Sequence, residues 1–260
     1  MTSSAPPTPV VSLSIVSHGQ GHLVRDLLRD LSTLARDVPF EVIVTLNLPE
    51  DESFLDACGP LPLRVVRNTT IKGFGANHNA AFGVAQGSVF VIVNPDIRAQ
   101  QLRLGPLVDV LKAPRVGACG PTILSHTGAP EDSPRRFPTF WRLAVRLLSR
   151  RRSPDYGTPT APIDVDWVAG MFAAFNRDAF REIGGFDEGF FMYMEDADIC
   201  RRLREHGWAT FYQPACSVVH EGQRKSHRKL AHLTWHAGSA LRYFIARPSR
   251  RNINGLHREI

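Results

Sequence analysis

Short apolar runs alternate with amphipathic stretches over the first part of the chain, and this alternation limits the folds open to it. The apolar runs lie at residues 10–17, 40–46, 63–66 and 88–93. Helical patterns lie between them, at residues 21–36 and 77–86. Strands and helices that alternate at this spacing indicate a parallel sheet with crossover helices on its faces. A chain of 260 residues with 43% hydrophobic content is long enough to bury that sheet in a single domain.

The second half has a less regular pattern. Strands are predicted at residues 115–119, 167–175 and 209–212, and helices at residues 195–206 and 226–245. Residues 125–138 form a polar, proline-rich stretch of the kind that connects elements as a loop. The sequence contains no apolar run as long as a membrane-spanning helix, and its first residues lack the pattern of a signal peptide.

Arginine carries most of the net charge of +6, with 27 Arg against 4 Lys. Its planar guanidinium group suits phosphate and carboxylate groups, so we expect an anionic partner. Zinc-finger spacings, RNP-like strands and continuous basic helices are not found in the sequence, which argues against nucleic acid. The four cysteines are scattered without CxxC spacing and are typical of reduced thiols in a cytosolic protein.

Three carboxylates stand together at Glu195, Asp196 and Asp198, where a predicted helix begins. They follow the glycine- and aromatic-rich stretch GFDEGFFMYM at residues 185–194. The helix dipole accounts for one acid at this position, but not for the apolar stretch before it. A carboxylate beside a partly apolar pocket is the usual environment of a general base, which is the first indication of an enzyme. We expect the aromatic side chains to divide between the core and a ligand.

Two loops in the first half have features of ligand-binding segments. Asn94-Pro95-Asp96 follows an apolar strand, and strand ends carry the ligands of open α/β sheets, so Asp96 is placed to meet a metal or a phosphate. A plain turn is the alternative interpretation. Residues 68–79 (NTTIKGFGANHN) combine two glycines with several amides before a helix. Glycine lets the backbone approach a ligand and the helix N-terminus favours an anion, although many loops share this composition.

A third motif follows the apolar pair at residues 218–219. His220 is a candidate metal ligand, and the cations Arg224, Lys225 and Arg228 after it are candidates for neutralising a diphosphate. The alternative interpretation is a solvated basic loop in which His220 ends a strand.

The order of these motifs resembles the GT-A glycosyltransferases of family 2, in particular their rhamnosyltransferase-like members. The matching segments are EVIVTLN, NTTIKGFGANHNAA, VFVIVNPD, DWVAGMFAAFNRDAFREIGGFDEGFFMYMEDADICRRLREHGW and VVHEGQRKS. They span residues 10–244, and the block at residues 166–208 is the most specific.

The resemblance implies an α/β GT-A fold with a mostly parallel central sheet flanked by helices, in a single domain of residues 10–246. Residues 10–100 are then the nucleotide-sugar-binding half and residues 101–246 the acceptor-binding half. We expect a flexible tail at residues 1–9 and a basic tail at residues 247–260.

The resemblance also implies a donor site. Val16, Ser17 and His18 would hold the nucleotide base. Asn47 is kept from the usual Asp-Asn pair, but Leu46 replaces the Asp, which leaves the identity of the base open. Asp96 would bind Mg²⁺ or Mn²⁺, with His220 as a further ligand, and oxygen-rich ligation fits these hard cations. The full set of predicted donor-binding residues is Val16, Ser17, His18, Asn47, Lys72, Gly73, Asn77, Asn94, Asp96, Arg224 and Lys225.

The catalytic residues implied by the resemblance come from the acidic segment. Asp196 would be the general base that takes the proton of an acceptor hydroxyl, with inversion at the anomeric carbon. Glu195 and Asp198 would orient the base or bind sugar hydroxyls. The residues predicted to line the acceptor are Trp167, Gly170, Met171, Tyr193 and Asp198.

Residues 137–152 (FPTFWRLAVRLLSRRR) have an amphipathic helical pattern. Aromatic and aliphatic residues fall on one face and arginines on the other, which is typical of a helix at a membrane interface. The alternative is a helix that packs on the sheet with a solvated back. Because family members often use polyprenyl-diphosphate-linked acceptors, we expect a cytoplasmic protein that is peripheral on the inner face of the cytoplasmic membrane.

The leading prediction is rhamnosyl transfer from a deoxythymidine-diphosphate donor to a lipid-linked or polysaccharide acceptor in cell-envelope glycan synthesis. A uridine-diphosphate sugar is the alternative donor. A catalytically silent module that binds sugar nucleotides or glycans is the alternative from another class, and Leu46 is its only support. A nucleotidyltransferase ranks third, because its glycine-rich signature is not found near the first strand.

Overall fold

A computed structural model describes residues 9–34, 37–139, 141–142, 154–222 and 229–245. Several predictions lie outside these residues. They concern most of both tails, most of the amphipathic segment 137–152, and the cations Arg224, Lys225 and Arg228.

The first half is a parallel sheet, as the sequence predicts. Its strands are β1 (Val11–Ser17), β2 (Phe40–Leu46), β3 (Leu63–Arg67) and β4 (Val89–Val93), in the spatial order β3-β2-β1-β4. The connections contain helices α1 (Gly21–Thr33) and α2 (Phe74–Val84) and a 3₁₀ helix (Ser53–Cys58). β2 and β4 are buried along their whole length, which explains why they read as continuous apolar runs rather than as alternating ones.

The second half makes the sheet mixed rather than mostly parallel. Strand β10 (Phe172–Asn176) lies antiparallel between β4 and β6 (Val116–Ser125), and β11 (Ala209–His220) pairs parallel with β6. Two short strands, β5 (Ile97–Arg98) and β8 (Ile163–Val165), run antiparallel to β11. Within the described residues these nine strands form one sheet, and β7 (Pro134–Arg135) and β9 (Trp167–Val168) form a separate pair.

Helices cover both faces of the large sheet. On one face α1 packs with α3 (Gly105–Leu111). On the other face lie α2, α4 (Arg177–Glu182) and α5 (Glu195–Glu205), and α6 (Lys229–Ile245) adds Tyr243 to this layer. Among the described residues, no helix is both long enough and apolar enough to span a membrane.

The run predicted as one strand at residues 167–175 is two strands in the structure. Residues 169–171 separate β9, which pairs with β7, from β10, which lies in the large sheet. Their backbone groups bond to the loop before β7 and to the turn after β4 instead of to a neighbouring strand. The Ala169 N–H donates to the Ser133 carbonyl, and the Met171 carbonyl accepts from the Asn94 N–H. The strand predicted at residues 209–212 instead continues to His220, so that β11 delivers His220 to the end of the sheet where Asp96 lies.

Candidate active site

The end of β4, the start of α5 and the link between β9 and β10 enclose the predicted catalytic residues. The Asn94 N–H donates to the Met171 carbonyl at 2.9 Å. The neighbouring Gly170 N–H donates to Asp196 Oδ2 at 3.0 Å. A Cβ at Gly170 would lie 3.3 Å from Asp196 Cβ, so the backbone can approach the carboxylate this closely because the residue is glycine. The short link therefore ties the turn after β4 and the Asp196 carboxylate to one stretch of backbone.

Glu195, which is buried, and Asp196, which is half-buried, form a carboxylate pair. Asp196 Oδ1 accepts from the Ala197 N–H at 2.8 Å, while Glu195 Oε2 is buried and has no hydrogen-bond partner among the described residues. Burial, followed by the charge of Asp196, raises the pKa of Glu195 to about 8. Burial also raises the pKa of Asp196, and the Gly170 hydrogen bond and the charge of Arg135 oppose that rise. Carboxyl groups with raised pKa values beside an apolar loop are typical of residues that take part in acid–base chemistry.

The segment before the pair has an unusual backbone. Tyr193 and Met194 have φ values of 75° and 69°, a region that residues other than glycine rarely occupy. Helix α6 contacts this segment: the ring of His236 stacks on that of Tyr193 at 3.5 Å, and Ser239 Oγ donates to the Met192 carbonyl at 2.8 Å. Contacts from another element therefore support the left-handed turn that leads into α5.

Asp96 and His220, far apart in sequence, meet at the edge of the sheet. His220 Nε2 lies 3.2 Å from Asp96 Oδ2, and His220 Nδ1 lies 2.9 Å from Glu131 Oε2. The hydrogen bond and charge of Asp96, then those of Glu131, raise the pKa of His220 to about 9. Asp96 Oδ1 is buried and has no partner in the described part of the chain.

These donors fit a divalent cation. A carboxylate oxygen is the kind of ligand that Mg²⁺ and Mn²⁺ prefer, and an imidazole nitrogen is a common further metal ligand. The buried Asp96 Oδ1, which has no partner among the described residues, is an atom that such an ion would satisfy. The described residues contain no group of three or more His, Cys, Asp or Glu side chains arranged to hold a metal. A cation here therefore needs further oxygens from a ligand such as a diphosphate.

The predicted donor residues near the first two strands form an amide network. Asn47 is 5% exposed, donates to His18 Nδ1 and the Lys72 carbonyl, and accepts from the Lys72 N–H and from Asn68 Nδ2. Asn77 is 2% exposed and donates to the Lys72 and Gly73 carbonyls. Direct donor contact was predicted for both amides. In the structure the side-chain amide of Asn47 bonds within the protein and supports the backbone at Lys72, and donor contact by the two residues stays a prediction.

The other predicted donor residues differ in exposure. His18 and Lys72 are exposed and Val16 is half-buried, whereas Ser17 is buried and its Oγ accepts from the Gln20 N–H. The Gly73 backbone approaches the aromatic loop closely: a Cβ there would lie 2.7 Å from the Phe191 carbonyl oxygen. This glycine therefore makes room for the protein's own chain, a use that differs from the predicted approach to a ligand.

The predicted acceptor residues separate into two groups. Gly170, Met171 and Tyr193 adjoin the carboxylate pair. Asp198 does not: it is 2% exposed and accepts hydrogen bonds from Arg201 and Arg202. The guanidinium group of Arg202 also donates to the Ile183 and Gly185 carbonyls. The Asp198 carboxylate is therefore paired within the protein, and its predicted acceptor contact stays a prediction.

The aromatic residues near the site differ in how much of each side chain is exposed. Trp167 is 5% exposed and donates to the Arg136 carbonyl. Phe190 is fully buried, whereas Phe191 is 38% exposed and packs against Trp235.

Two residues near β7 belong to the site although no sequence motif marks them: Glu131 lies in the loop before the strand and Arg135 in the strand itself. Glu131 contacts His220, and Arg135 lies over the Trp167 ring at 5.1 Å and acts electrostatically on Asp196. The sequence shows both only as members of a polar loop, since their partners are contributed by distant elements.

Residues 6–235 match the family described as glycosyltransferase like family 2. The chain belongs to this family. Its predicted family resemblance is thereby confirmed, and the architecture is that of the GT-A glycosyltransferases.

Two characterised relatives of this family member cover nearly the whole chain. The N-acetylglucosaminyl-diphospho-decaprenol L-rhamnosyltransferase of Mycobacterium tuberculosis is 29% identical over 93% of this chain and 86% of its own length. The rhamnosyltransferase WbbL of Escherichia coli is 26% identical over 94% of this chain and 96% of its own.

Two solved structures have the same fold. GalNAc-T7, crystallised with UDP, GalNAc and Mn²⁺, superposes with a TM-score of 0.63 at 17% identity, over 85% of this chain and 45% of that one. The Pyrobaculum calidifontis mannosyltransferase PcManGT, crystallised with GDP-Man and Mn²⁺, gives 0.59 at 20% identity, over 91% of this chain and 65% of that one. This chain thus spans less than two thirds of either.

Proposed function

We propose that this glycosyltransferase family member is an inverting enzyme that transfers a sugar from a nucleotide-diphosphate donor to a hydroxyl group. One observation carries the proposal: residues 169–171 bond both the turn after β4 and the half-buried carboxylate Asp196. This supports Asp196 as the general base, because its carboxylate is tied to the backbone that also holds the turn bearing Asp96.

In the proposed reaction, ionised Asp196 accepts the proton of the acceptor hydroxyl. The acceptor oxygen attacks the anomeric carbon from the face opposite the diphosphate and forms the new glycosidic bond. The bond between the anomeric carbon and the diphosphate oxygen breaks, and its electron pair leaves with the nucleoside diphosphate. Asp96 and His220 would hold a Mg²⁺ or Mn²⁺ ion, which when bound neutralises the charge that grows on the diphosphate. The Gly170 N–H orients Asp196, and Glu195 keeps a proton beside it, which limits repulsion between the two acids.

We further propose L-rhamnose as the sugar and a deoxythymidine diphosphate as its carrier. The two rhamnosyltransferases that match nearly the full length of the chain support the sugar. The acceptor would be a polyprenyl-diphosphate-linked glycan or a polysaccharide, a choice supported by the diphospho-decaprenol substrate in the name of the mycobacterial relative. Residues 137–152 would bring the enzyme to the membrane that carries such an acceptor.

The proposal is tested by comparing the wild type with Asp196→Asn. Thermal shifts are measured with UDP, dTDP and their sugars, with and without Mn²⁺, and turnover is measured with the donor that stabilises most. We expect metal-dependent stabilisation of both proteins, because a ligand that binds the native state raises its stability. We expect turnover of the variant to fall by about 10²–10⁴-fold, the usual contribution of a general base.

Each outcome decides a separate part. A preference for UDP would keep the transferase and replace the donor. Near-normal turnover of Asp196→Asn would remove Asp196 from the role of base. If no nucleotide stabilises the wild type, the transferase proposal fails and a catalytically silent module that binds glycans becomes the leading hypothesis.

A further inference from the structure

Glu131 is the one carboxylate in the described part of the chain, besides Asp96, that contacts His220. It lies after the turn that follows β6, where its backbone N–H donates to the Ile123 carbonyl at 2.7 Å. β6 and β11 run parallel, with Ser125 opposite His220 in the register. The return of the chain after β6 therefore brings the Glu131 side chain to the outer side of the His220 ring.

The two nitrogens of His220 face different partners. Nδ1 lies 2.9 Å from Glu131 Oε2, and Nε2 lies 3.2 Å from Asp96 Oδ2. An ionised carboxylate only accepts hydrogen bonds, so the Nδ1–H group donates to Glu131. Nε2 is then the nitrogen directed at the Asp96 carboxylate, whose buried Oδ1 lacks a partner among the described residues.

This arrangement is the one in which a carboxylate orients a metal-binding imidazole. A histidine that binds a metal through one nitrogen commonly donates its other N–H to a carboxylate, which fixes the tautomer and the ring orientation. The side chains of His220 and Glu131 are 17% and 32% exposed, so solvent does not fully surround the contact.

We infer that Glu131 is a positioning residue that holds the His220 ring so that Nε2 faces a divalent cation bound at Asp96. Glu131 does not touch the cation; it acts through His220. The inference rests on the proposed function, because the cation is the one that would bind there with the donor diphosphate.

The test measures Mn²⁺ binding directly, by the loss of the free-ion electron paramagnetic resonance signal, in the presence of saturating dTDP or UDP. We expect Glu131→Ala to weaken Mn²⁺ binding by about 10–100-fold, the effect typical of removing such a partner. Glu131→Gln, whose amide oxygen still accepts from Nδ1–H, should recover most of this affinity. The matched control is Asp109→Ala, which removes an exposed carboxylate paired with Lys112.

A double-mutant cycle separates action through His220 from a general loss of structure. In the His220→Ala background, adding Glu131→Ala should cause no further loss of Mn²⁺ affinity, because residues that act as a unit are non-additive. Thermal unfolding without metal confirms that each variant is folded.

The outcomes are distinguishable. If the wild type fails to bind Mn²⁺ in the presence of dTDP and also in the presence of UDP, the metal site of the proposed function is wrong. This inference then fails with it. Two results would overturn only the inference, provided that the wild type binds Mn²⁺. In the first, Glu131→Ala binds Mn²⁺ as tightly as the wild type does. In the second, Glu131→Ala lowers Mn²⁺ affinity by the same factor in the His220→Ala background as in the wild type.

Discussion

Two neighbouring acids at the start of α5 have different environments although they are adjacent in sequence. Asp196 receives hydrogen bonds from two backbone N–H groups, whereas Glu195 Oε2 has no partner in the described structure. Backbone N–H donors stabilise a carboxylate, and burial without donors stabilises a carboxylic acid. This difference favours Asp196 as the ionised base and Glu195 as its protonated neighbour.

The burial of Glu195 predicts a pH-dependent stability. Its pKa is raised from 4.5 to about 8, so the folded state holds the proton more tightly than the unfolded state does. The resulting stabilisation is complete below pH 4.5 and is lost as the pH rises to about 8. Glu195→Gln removes this loss. The Tm of the variant minus that of the wild type should therefore be more positive at pH 8.5 than at pH 5, by about 2–4 °C for each kcal/mol.

Thermal unfolding at the two pH values measures this difference. The matched control is Glu188→Gln, which changes an exposed carboxylate that accepts from Asn79. Parallel Tm changes of Glu195→Gln and the wild type across this range would show that Glu195 is already ionised in the folded protein.

At the scale of elements, helix α6 supports the loop that leads into α5. Arg242 bonds both oxygens of Asp187, at 2.9 and 2.8 Å through Nη2, and its guanidinium group lies over the Phe190 ring. Ser239, about one turn earlier in α6, and His236, nearly two turns earlier, contact the same loop. α6 thus contacts the loop near its start, at Asp187, and near its end, at Met192 and Tyr193. The second contact lies next to the left-handed turn before Glu195.

Removing the Arg242 contact should therefore slow catalysis without weakening donor binding. We expect Arg242→Ala to lower kcat by roughly 10-fold, since small displacements of a catalytic group have large effects on rate. The affinity for nucleotide should stay unchanged, because neither Arg242 nor its partner Asp187 is among the predicted donor-binding residues. Steady-state kinetics and a nucleotide titration check both parts. Arg181→Ala, which breaks an exposed pair with Asp178, is the control. An unchanged kcat in Arg242→Ala would show that the loop holds its shape without α6.

At the scale of the whole molecule, the net positive charge of the chain bears on the predicted membrane contact. Trp141, at the start of the segment 137–152, is 77% exposed, and the chain carries a net charge of +6. Each arginine near an anionic lipid surface contributes about 1 kcal/mol, and salt screens this attraction.

We therefore expect the protein to co-sediment with vesicles that contain phosphatidylglycerol but not with pure phosphatidylcholine vesicles. Replacing Arg146, Arg150 and Arg151 by Gln should weaken vesicle binding by about 100-fold, the product of three such contributions. The control replaces the exposed arginines Arg25, Arg29 and Arg181 by Gln. Equal losses in the two triple variants would mean that net charge, not this segment, causes the attraction.

Much of the fold and part of the site could be predicted from local sequence. Strands β2 and β4 were recognisable because burial on both faces makes them largely apolar along their whole length. The acids at residues 195–196 were recognisable because a helix start and an apolar loop lie beside them in sequence.

Only the tertiary structure decided the rest. The antiparallel insertion of β10 between β4 and β6, and the meeting of Glu131 with His220 across 89 positions, depend on the order of strands in the sheet. The supporting roles of Asn47 and Asp198 likewise depend on partners that the fold brings to them. Sequence patterns record which side chains avoid water, because burial follows local periodicity, whereas the partner of a polar side chain is set by long-range packing.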